Sequence, residues 1–314
     1  MKSWCTPLYE GTFSVGLDKK FFSIPRDGNA AKGALKISLN PFLIVNEARV
    51  ILIDTGIGSF GEDTGVERLF ENLERHGISD YEVTDIFMSH LHYDHMGGLA
   101  HQNSGFWELS FPEAKLWVSK DDWARVMAKE EFYDAEKTEF VAFLDARANL
   151  HFLEAEDQPY PEIRVEHIGG HTQYHQAIWY KDEDVNLLMA GDVIATRGQV
   201  NRIFAAKYDY DPEQSKRQRI RLAREAYEVG ATILAYHDEE CSMFRIVDHD
   251  ARRGYLTEPV SGGRPRRASQ ERPMSAAQLT VRTQSACARP PAWPTSKARE
   301  WTHRPSSWVW VHSC

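Results

Sequence analysis

Short apolar runs separated by polar turns recur along the chain, and they predict a fold rich in strands. Residues 42–45 and 50–53 are two such runs, and the polar turn between them predicts a hairpin. Residues 99–113, which are rich in polar and aromatic side chains, and residues 196–211 are expected to be loops. The other predicted strands lie within residues 8–55 and at 86–88, 114–118, 150–153, 163–167, 177–180, 187–190 and 232–235, with a closing pair at 245–247 and 255–260.

Helical periodicity lies between the groups of strands. Residues 65–76 predict an amphipathic helix closed by Gly77, and two more helices are expected around 120–129 and 133–147. A last helix is predicted over 212–229, with Pro212 behind Asp211 as N-cap. Its predicted buried stripe consists of Ile220, Ala223, Ala226 and Tyr227. Strand groups with helices between them indicate an α+β fold with two sheets packed face to face and helices outside, an αββα sandwich.

Residues of the kind that bind metals stand directly after several of these strands. Because the carboxyl ends of such strands can meet at one edge of a fold, these side chains are expected to converge there. The residues in question are Asp54, His90, His171, Asp192 and His237.

One stretch, His90 to His95, holds four potential ligands in six residues. Imidazole nitrogens and a carboxylate oxygen suit zinc and its neighbours. His90 and His92, two positions apart, would lie on the same side of an extended segment. Asp94 and His95 come after the turn and can face a different point, so the stretch is able to serve two metal ions.

Charge and composition exclude several kinds of partner. Residues 261–314 carry a net charge of +7, and subtracting this from −9 for the whole chain leaves −16 for residues 1–260. An acidic body repels phosphate backbones, so nucleic acid is not expected as a partner. The four cysteines lack metal-site or disulfide spacing, and neither a secretory signal nor a membrane span is recognisable. The sequence therefore predicts a cytoplasmic protein without membrane partners.

The last part of the chain differs in character. Residues 261–314 are rich in arginine, proline, serine and alanine, and they contain no isoleucine or phenylalanine. Such a segment cannot bury enough apolar surface to fold alone, so a disordered basic tail is predicted. A non-native, out-of-frame extension and a basic anchoring tail both remain open. Residues 1–260 form the predicted catalytic domain.

The ordered motifs resemble those of the metallo-β-lactamase superfamily over roughly residues 10–260. They are Asp54-Thr55-Gly56, then H-x-H-x-D-H at 90–95, G-G-H-T at 169–172, Gly191-Asp192 and His237-Asp238. The resemblance implies that His90, His92 and His171 hold one ion, that Asp94, His95 and His237 hold a second, and that Asp192 bridges them. It also implies that Asp54 and His175 support these ligands from behind.

The resemblance implies hydrolysis by two divalent ions, with Zn²⁺ as the first choice and Mn, Fe or Co as alternatives. Two ions about 3.5–4 Å apart share a hydroxide that attacks the substrate. Asp94 would orient this hydroxide, so Asp94 and Asp192 are the predicted catalytic residues. The Gly191-Asp192 stretch and residues 207–214 are similar to the quorum-quenching lactonase and organophosphate-hydrolase branch.

A small-molecule lactone or related ester is therefore the expected substrate. A phosphotriesterase or arylesterase, and a metal-binding member without catalysis, remain alternatives, and the protein is expected to be a monomer or homodimer. Lactonases of this branch place a tyrosine three residues after the bridging aspartate, where this chain has Ala195. Tyr208 or Tyr93 could replace it. Phe106, Trp107 and Trp123 are open between pocket wall and plain core.

Overall fold

The structure, a computed structural model, describes residues 2–128, 134–202, 204, 206, 208–250 and 252–263. These residues belong to one compact unit, Met1–Pro265. The remaining unit, Arg266–Cys314, falls outside the described residues. The predicted disordered tail therefore lies outside them as well, apart from residues 261–263.

Most strands of the described residues form two large sheets. The first sheet has the order β1-β5-β6-β7-β10-β11, and the second runs from β12 to β18 in chain order. The first comprises β1 (Trp4–Pro7), β5 (Phe42–Val45), β6 (Val50–Ile53), β7 (Asp85–Phe87), β10 (Lys115–Ser119) and β11 (Asn149–Leu153). The second comprises β12 (Glu156–Tyr160), β13 (Ile163–His167), β14 (Gln176–Lys181), β15 (Asn186–Met189), β16 (Thr232–Leu234), β17 (Met243–Asp250) and β18 (Gly254–Pro259).

Two smaller sheets and a set of helices complete the described fold. The small sheets are β3-β2-β4 and the hairpin β8-β9. Their strands are β2 (Gly11–Val15), β3 (Phe21–Ile24), β4 (Leu35–Leu39), β8 (Ala100–Asn103) and β9 (Phe106–Leu109). The α-helices are α1 (Glu67–Arg75), α2 (Tyr93–Met96), α3 (Lys120–Met127), α4 (Ala135–Arg147) and α5 (Pro212–Val229). Single turns of 3-10 helix lie at Gly58–Phe60, Asp80–Glu82, Gly97–Leu99, Gly191–Ile194 and Arg197–Asn201.

Alternation of apolar side chains along β5 and β6 explains the layered core. Ile44 and Ile51 face the second sheet, where Ile178 is one of their partners. Leu43 and Leu52 point the other way, into the layer formed with α1, α3 and α4. A third apolar layer joins the outer face of the second sheet to α5. The αββα sandwich and the 42–53 hairpin are confirmed.

Three local expectations were wrong. The predicted loop at 99–113 contains the β8-β9 hairpin, whose turn residues Ser104 and Gly105 both have positive φ, as a tight two-residue turn requires. Strand β12 was not expected, because its polar sequence lacks an apolar run. In α5, whose Asp211 N-cap is confirmed, Ile220 is 48% exposed and Leu222 takes its expected place in the core.

No helix in the described part of the chain combines the length and the apolarity that crossing a membrane requires.

Candidate metal centre

The side chains predicted to bind metal meet at one edge of the sandwich. Strands β6 and β7 are parallel neighbours in the first sheet, and β15 and β16 are parallel neighbours in the second. Parallel neighbours end at the same edge, so the residues that follow them come together. Asp54 and His90 follow the first pair, and Asp192 and His237 follow the second.

Asp54 supports the histidine-rich segment from beneath it. Its side chain is fully buried and accepts hydrogen bonds from the Ser89 backbone N–H and hydroxyl, both at 2.7 Å. Asp54 Oδ2 also accepts a hydrogen bond from His95 Nδ1 at 2.8 Å. One carboxylate therefore fixes both the loop that carries His90 and the ring of His95.

The first predicted ligand group is brought together by two separate segments. His90 Nε2 lies 3.0 Å from His92 Nδ1, and His171 Nε2 lies 3.1 Å from the same His92 atom. One ligand atom from each of the three residues lies within 4.8 Å of the others. His90 and His171 are buried, and His92 is partly exposed, so the group opens to solvent on one side.

Asp192 lies between this group and the second one. Its Oδ2 is 3.2 Å from His171 Nε2, and its Oδ1 is 3.1 Å from His237 Nε2 and 3.3 Å from His95 Nε2. Asp94 completes the second group, with its Oδ2 at 3.5 Å from His237 Nε2. A single carboxylate thus contacts the histidines of both groups.

The inner face of the second group is held by aromatic packing and by the small N-terminal sheet. The ring of Tyr236 stacks on His95 at 4.0 Å, and its hydroxyl donates a hydrogen bond to the Asp94 carbonyl at 2.7 Å. The Ser38 carbonyl, in β4, accepts a hydrogen bond from His237 Nδ1 at 3.0 Å. These contacts fix the rings of both histidines.

The hydrogen bonds behind the histidines decide which ring nitrogens face inward as lone pairs. A carboxylate or carbonyl can only accept, so the Nδ1 facing it carries the proton and Nε2 carries the lone pair. Each accepting group binds one histidine: Asp209 Oδ1 binds His171, Asp54 Oδ2 binds His95, and the Ser38 carbonyl binds His237.

Three Nε2 lone pairs then face the negatively charged Asp192. Without a cation or extra protons between them, this arrangement is repulsive. Among the described residues, His95 Nε2 and Asp192 Oδ1 are both buried without a hydrogen-bond partner, although they lie 3.3 Å apart. Buried polar atoms of this kind need a partner, and divalent metal ions bind neutral imidazole and carboxylate. The residues present therefore fit a divalent ion at each group.

The charges around the centre shift the pKa values of its histidines in two directions. Burial, followed by the neighbouring imidazoles, holds the pKa of His90 and of His92 well below the usual range. Both rings are therefore neutral and able to bind metal. Burial also opposes charge on His95, but the carboxylates of Asp94 and Asp192 outweigh it and raise the pKa of that ring.

Asp192 itself stays ionised. Burial would raise the pKa of its carboxyl, but the positive charges that His237, His171 and His95 carry when they are protonated together hold it well below the usual range. An ionised carboxylate in the middle of the cluster is the ligand that two cations can share.

His175 lies behind the first group. Its Nε2 donates a hydrogen bond to the Ala190 carbonyl at 3.2 Å, and its ring centre is 4.5 Å from that of His90. Burial lowers its pKa to about 3, which keeps the ring neutral. Gly191 packs so closely that an added Cβ would lie 2.4 Å from His175 Nε2. His175 touches the ligands from behind and belongs to none of the convergent groups in the described residues.

The two tyrosines considered as substrate contacts differ in position. The ring of Tyr93 packs on Phe60 at 4.7 Å and on Phe140 at 6.2 Å, inside an aromatic cluster. Tyr208 is 61% exposed, and its ring centre lies 6.1 Å from that of His171. Of the two, only Tyr208 presents its side chain to solvent beside a candidate ligand.

The three aromatic residues that were expected to line either the pocket or the core differ in their burial. Trp123 is buried in the layer beneath the helices, which makes it core. Phe106 is 75% exposed at the β8-β9 turn. Trp107 is partly buried against Phe60 and Phe140, in the same cluster as Tyr93.

Sequence reasoning missed several residues that hold the centre in place. Ser89, Asp209 and Tyr236 all contact predicted ligands, as does the Ser38 carbonyl. Ser89 and Tyr236 each adjoin a ligand in sequence, which was an available signal. Asp209 lies within the 207–214 motif, but nothing in its spacing indicated contact with His171.

Comparison with known proteins agrees with this geometry. The model of the family described as "Metallo-beta-lactamase superfamily" matches residues 38–235, which is more than half of the chain. N-acyl homoserine lactonase from Bacillus thuringiensis is 24% identical over 173 residues, covering 49% of this chain and 61% of the relative. The chain thus spans about three fifths of the length of the curated relatives that it matches.

Solved structures with the same fold extend the match. Hydrolase AbOPH superposes with a TM-score of 0.65 at 24% identity and covers 84% of this chain and 96% of its own. AidC, described as a dizinc quorum-quenching lactonase, superposes with a TM-score of 0.64 at 19% identity and covers 83% and 99%. A probable metal-dependent hydrolase from Staphylococcus aureus gives 0.63 at 22% identity, covering 78% and 92%.

Proposed function

Because this chain belongs to the metallo-β-lactamase superfamily, we propose that it is a metal-dependent hydrolase that opens a lactone or cleaves a related ester. One observation carries the proposal: inward-facing imidazole nitrogens surround the ionised Asp192 in two groups. In this proposal His90, His92 and His171 hold one divalent ion, and Asp94, His95 and His237 hold the other. Asp192 binds both, and Zn²⁺ is the first metal to test.

When bound, two such ions supply a water of lowered pKa and polarise the substrate's carbonyl group. The protein's own groups then position the reactants. The Asp94 carboxylate would accept a hydrogen bond from the attacking water and orient it towards the carbonyl carbon. It can pass the proton on to the leaving alkoxide.

The Tyr208 hydroxyl supplies a hydrogen-bond donor to the substrate's oxygen. Desolvation, and then the charges of Asp192 and Asp209, raise its pKa, so it remains protonated and able to donate. Ala195 is 6% exposed and has no side chain for this role. Tyr208 stands on the open side of the centre, where a substrate would approach.

The lactone is favoured as substrate because the similar curated proteins are named N-acyl homoserine lactonases. The missing tyrosine at position 195 leaves aryl esters and phosphotriesters as the second candidates. An assay of metal-loaded protein on acyl-homoserine lactones, aryl esters and a paraoxon-type phosphotriester separates these outcomes. Elemental analysis should find close to two ions per chain.

Asp192→Ala provides the matched test of the shared carboxylate. We expect it to lose turnover and both ions together, while Asp182→Asn, in the partly exposed turn after β14, retains both. Turnover that survives Asp192→Ala would refute the bridging role. Full metal content in the wild type with no hydrolysis of any substrate would favour a metal-binding member without catalysis.

A further inference from the structure

Asp209 makes a buried contact with one of the candidate ligands. Its side chain accepts a hydrogen bond from His171 Nδ1 at 2.9 Å. Asp209 is 7% exposed and His171 is 6% exposed, so water competes little for this bond. The contact joins residues 38 positions apart in the chain.

This bond determines which ring nitrogen of His171 carries the lone pair that faces the candidate metal centre. With the proton on Nδ1, the lone pair on Nε2 points to where His92 Nδ1 and Asp192 Oδ2 lie, at 3.1 and 3.2 Å. A carboxylate behind an imidazole also makes the ring more basic, and therefore a stronger ligand. Losing the carboxylate would free the ring to rotate and to exchange its tautomer.

The backbone around Asp209 is attached to the same histidine. The Tyr210 N–H donates a hydrogen bond to the His171 carbonyl at 3.0 Å, and the Asp211 N–H donates one to the Gly170 carbonyl at 2.8 Å. Two backbone hydrogen bonds therefore attach the segment 208–211 to the turn that carries His171. It also carries Tyr208, which is 61% exposed beside that histidine.

A buried arginine places positive charge near this segment. Arg219, in α5, is 2% exposed and donates hydrogen bonds to the carbonyls of Val193, Arg202 and Phe204. Its positive charge also interacts favourably with Asp209. Asp209 Oδ2 is buried without a hydrogen-bond partner among the described residues. Arg219 supplies positive charge near this carboxyl group, and a divalent ion at His171 would add to it.

We propose that Asp209 is a positioning residue that fixes the tautomer and orientation of His171 and ties the Tyr208 segment to occupancy of the first metal site. This proposal rests on the proposed function, because the orientation of His171 matters to catalysis only when His171 binds metal. Asp209 strengthens metal binding at this site without touching metal or substrate.

The test uses Asp209→Asn and Asp209→Ala, with Asp211→Asn as the matched control. Asparagine at 209 can still accept a hydrogen bond from His171 Nδ1–H but carries no charge. Asparagine at 211 caps a helix as well as aspartate does and contacts no candidate ligand. Zn²⁺ affinity is measured by competition with a chelator, and the unfolding of metal-free protein is measured in urea.

We expect Asp209→Ala to weaken Zn²⁺ binding at one of the two sites roughly 10–100-fold, with a smaller loss for Asp209→Asn and none for the control. The absorption spectrum of Co²⁺-loaded Asp209→Asn should also change, and its metal-free form should unfold like the wild type. A loss of metal-free stability with unchanged Zn²⁺ affinity would show that Asp209 is merely structural.

The proposed function and the role of Asp209 can be refuted separately. Wild-type protein that binds no Zn²⁺ would overturn the proposed function. Wild-type protein that binds two ions, with Asp209 variants that bind them equally well, would overturn only the role of Asp209.

Discussion

Replacing Gly191 by alanine tests how closely the backbone packs behind Asp192. Gly191 has φ of +49°, and an added Cβ would lie 2.4 Å from His175 Nε2 and 3.1 Å from Ser89 Cβ. Real Cβ contacts are longer than the first of these distances, so the His175 ring must shift. Because that ring packs on His90, the disturbance reaches the first ligand group.

The cost of this substitution has two parts. A left-handed backbone costs a residue with a side chain about 1–2 kcal/mol relative to glycine. If the displaced His175 loses its bond to the Ala190 carbonyl, a buried donor remains unpaired, at about 1–3 kcal/mol. Gly230→Ala is the matched control, because Gly230 has φ of +66° and an added Cβ there meets no heavy atom of the described residues within 4 Å. The control should therefore carry only the first cost.

Urea unfolding of the metal-free variants measures their free energies of unfolding, and elemental analysis of the metal-loaded variants measures their metal content. We expect Gly191→Ala to lose about 2 kcal/mol more than Gly230→Ala, and to lose bound metal as well. Equal losses of stability together with full metal content in both variants would refute the reasoning, because the close contact with His175 would then have no energetic consequence.

Three further predictions concern pH, substrate binding and the end of the chain. Burial, opposed by hydrogen bonds from the Ile57 and Gly58 N–H groups and aided by the charge of Asp94, raises the pKa of Glu10 from 4.5 to about 8. Since the pKa of Glu10 in the folded state lies above its value in the unfolded state, metal-free protein should lose stability as pH rises from about 4.5 to 8. In urea unfolding, Glu10→Gln should lose less stability over this pH range than the wild type. An equal decline in both proteins would contradict this prediction. Tyr208→Phe should lower kcat roughly tenfold with unchanged metal content, whereas Tyr210→Phe, at a 68% exposed neighbour, should not; unchanged turnover would exclude the Tyr208 hydroxyl from catalysis. A chain shortened to residues 1–263 should keep its activity and melting temperature, and a large loss of either would place part of residues 264–314 in the functional unit.

The sequence predicted correctly those features that depend on one strand or on residues adjacent in the chain. Apolar runs located the paired strands of the 42–53 hairpin, and the ligand-type residues directly after strands converge at one edge. Both follow from local pattern and from the rule that parallel neighbours end together. The N-cap at Asp211 was equally accessible, because capping depends on neighbouring residues alone.

Contacts between segments that are distant in the chain could not be predicted from these local patterns. Ile220 has helical spacing that favours burial, yet it is exposed because the second sheet packs against a face of α5 rotated from the expected one. Asp209 meets His171 only because the segment before α5 folds back over the β13-β14 loop. A polar residue in a polar segment gives no sign of such a contact until both sheets are packed.

The architecture of the centre explains why this packing matters for function. Asp54 and His90 end strands of the first sheet, and Asp192 and His237 end strands of the second, so each ligand group combines residues from both sheets. The 3.3 Å contact of Asp192 with His95 and the 3.1 Å contact of His171 with His92 join the two sheets, so both depend on how the sheets pack across the core formed by residues such as Ile51. A shift of one sheet by about 1 Å would disturb both groups at once, since such a displacement is enough to impair catalytic geometry. Metal ions bound at this centre would consequently stabilise the packed sandwich over any looser arrangement, because only the packed state presents the complete set of proposed ligands.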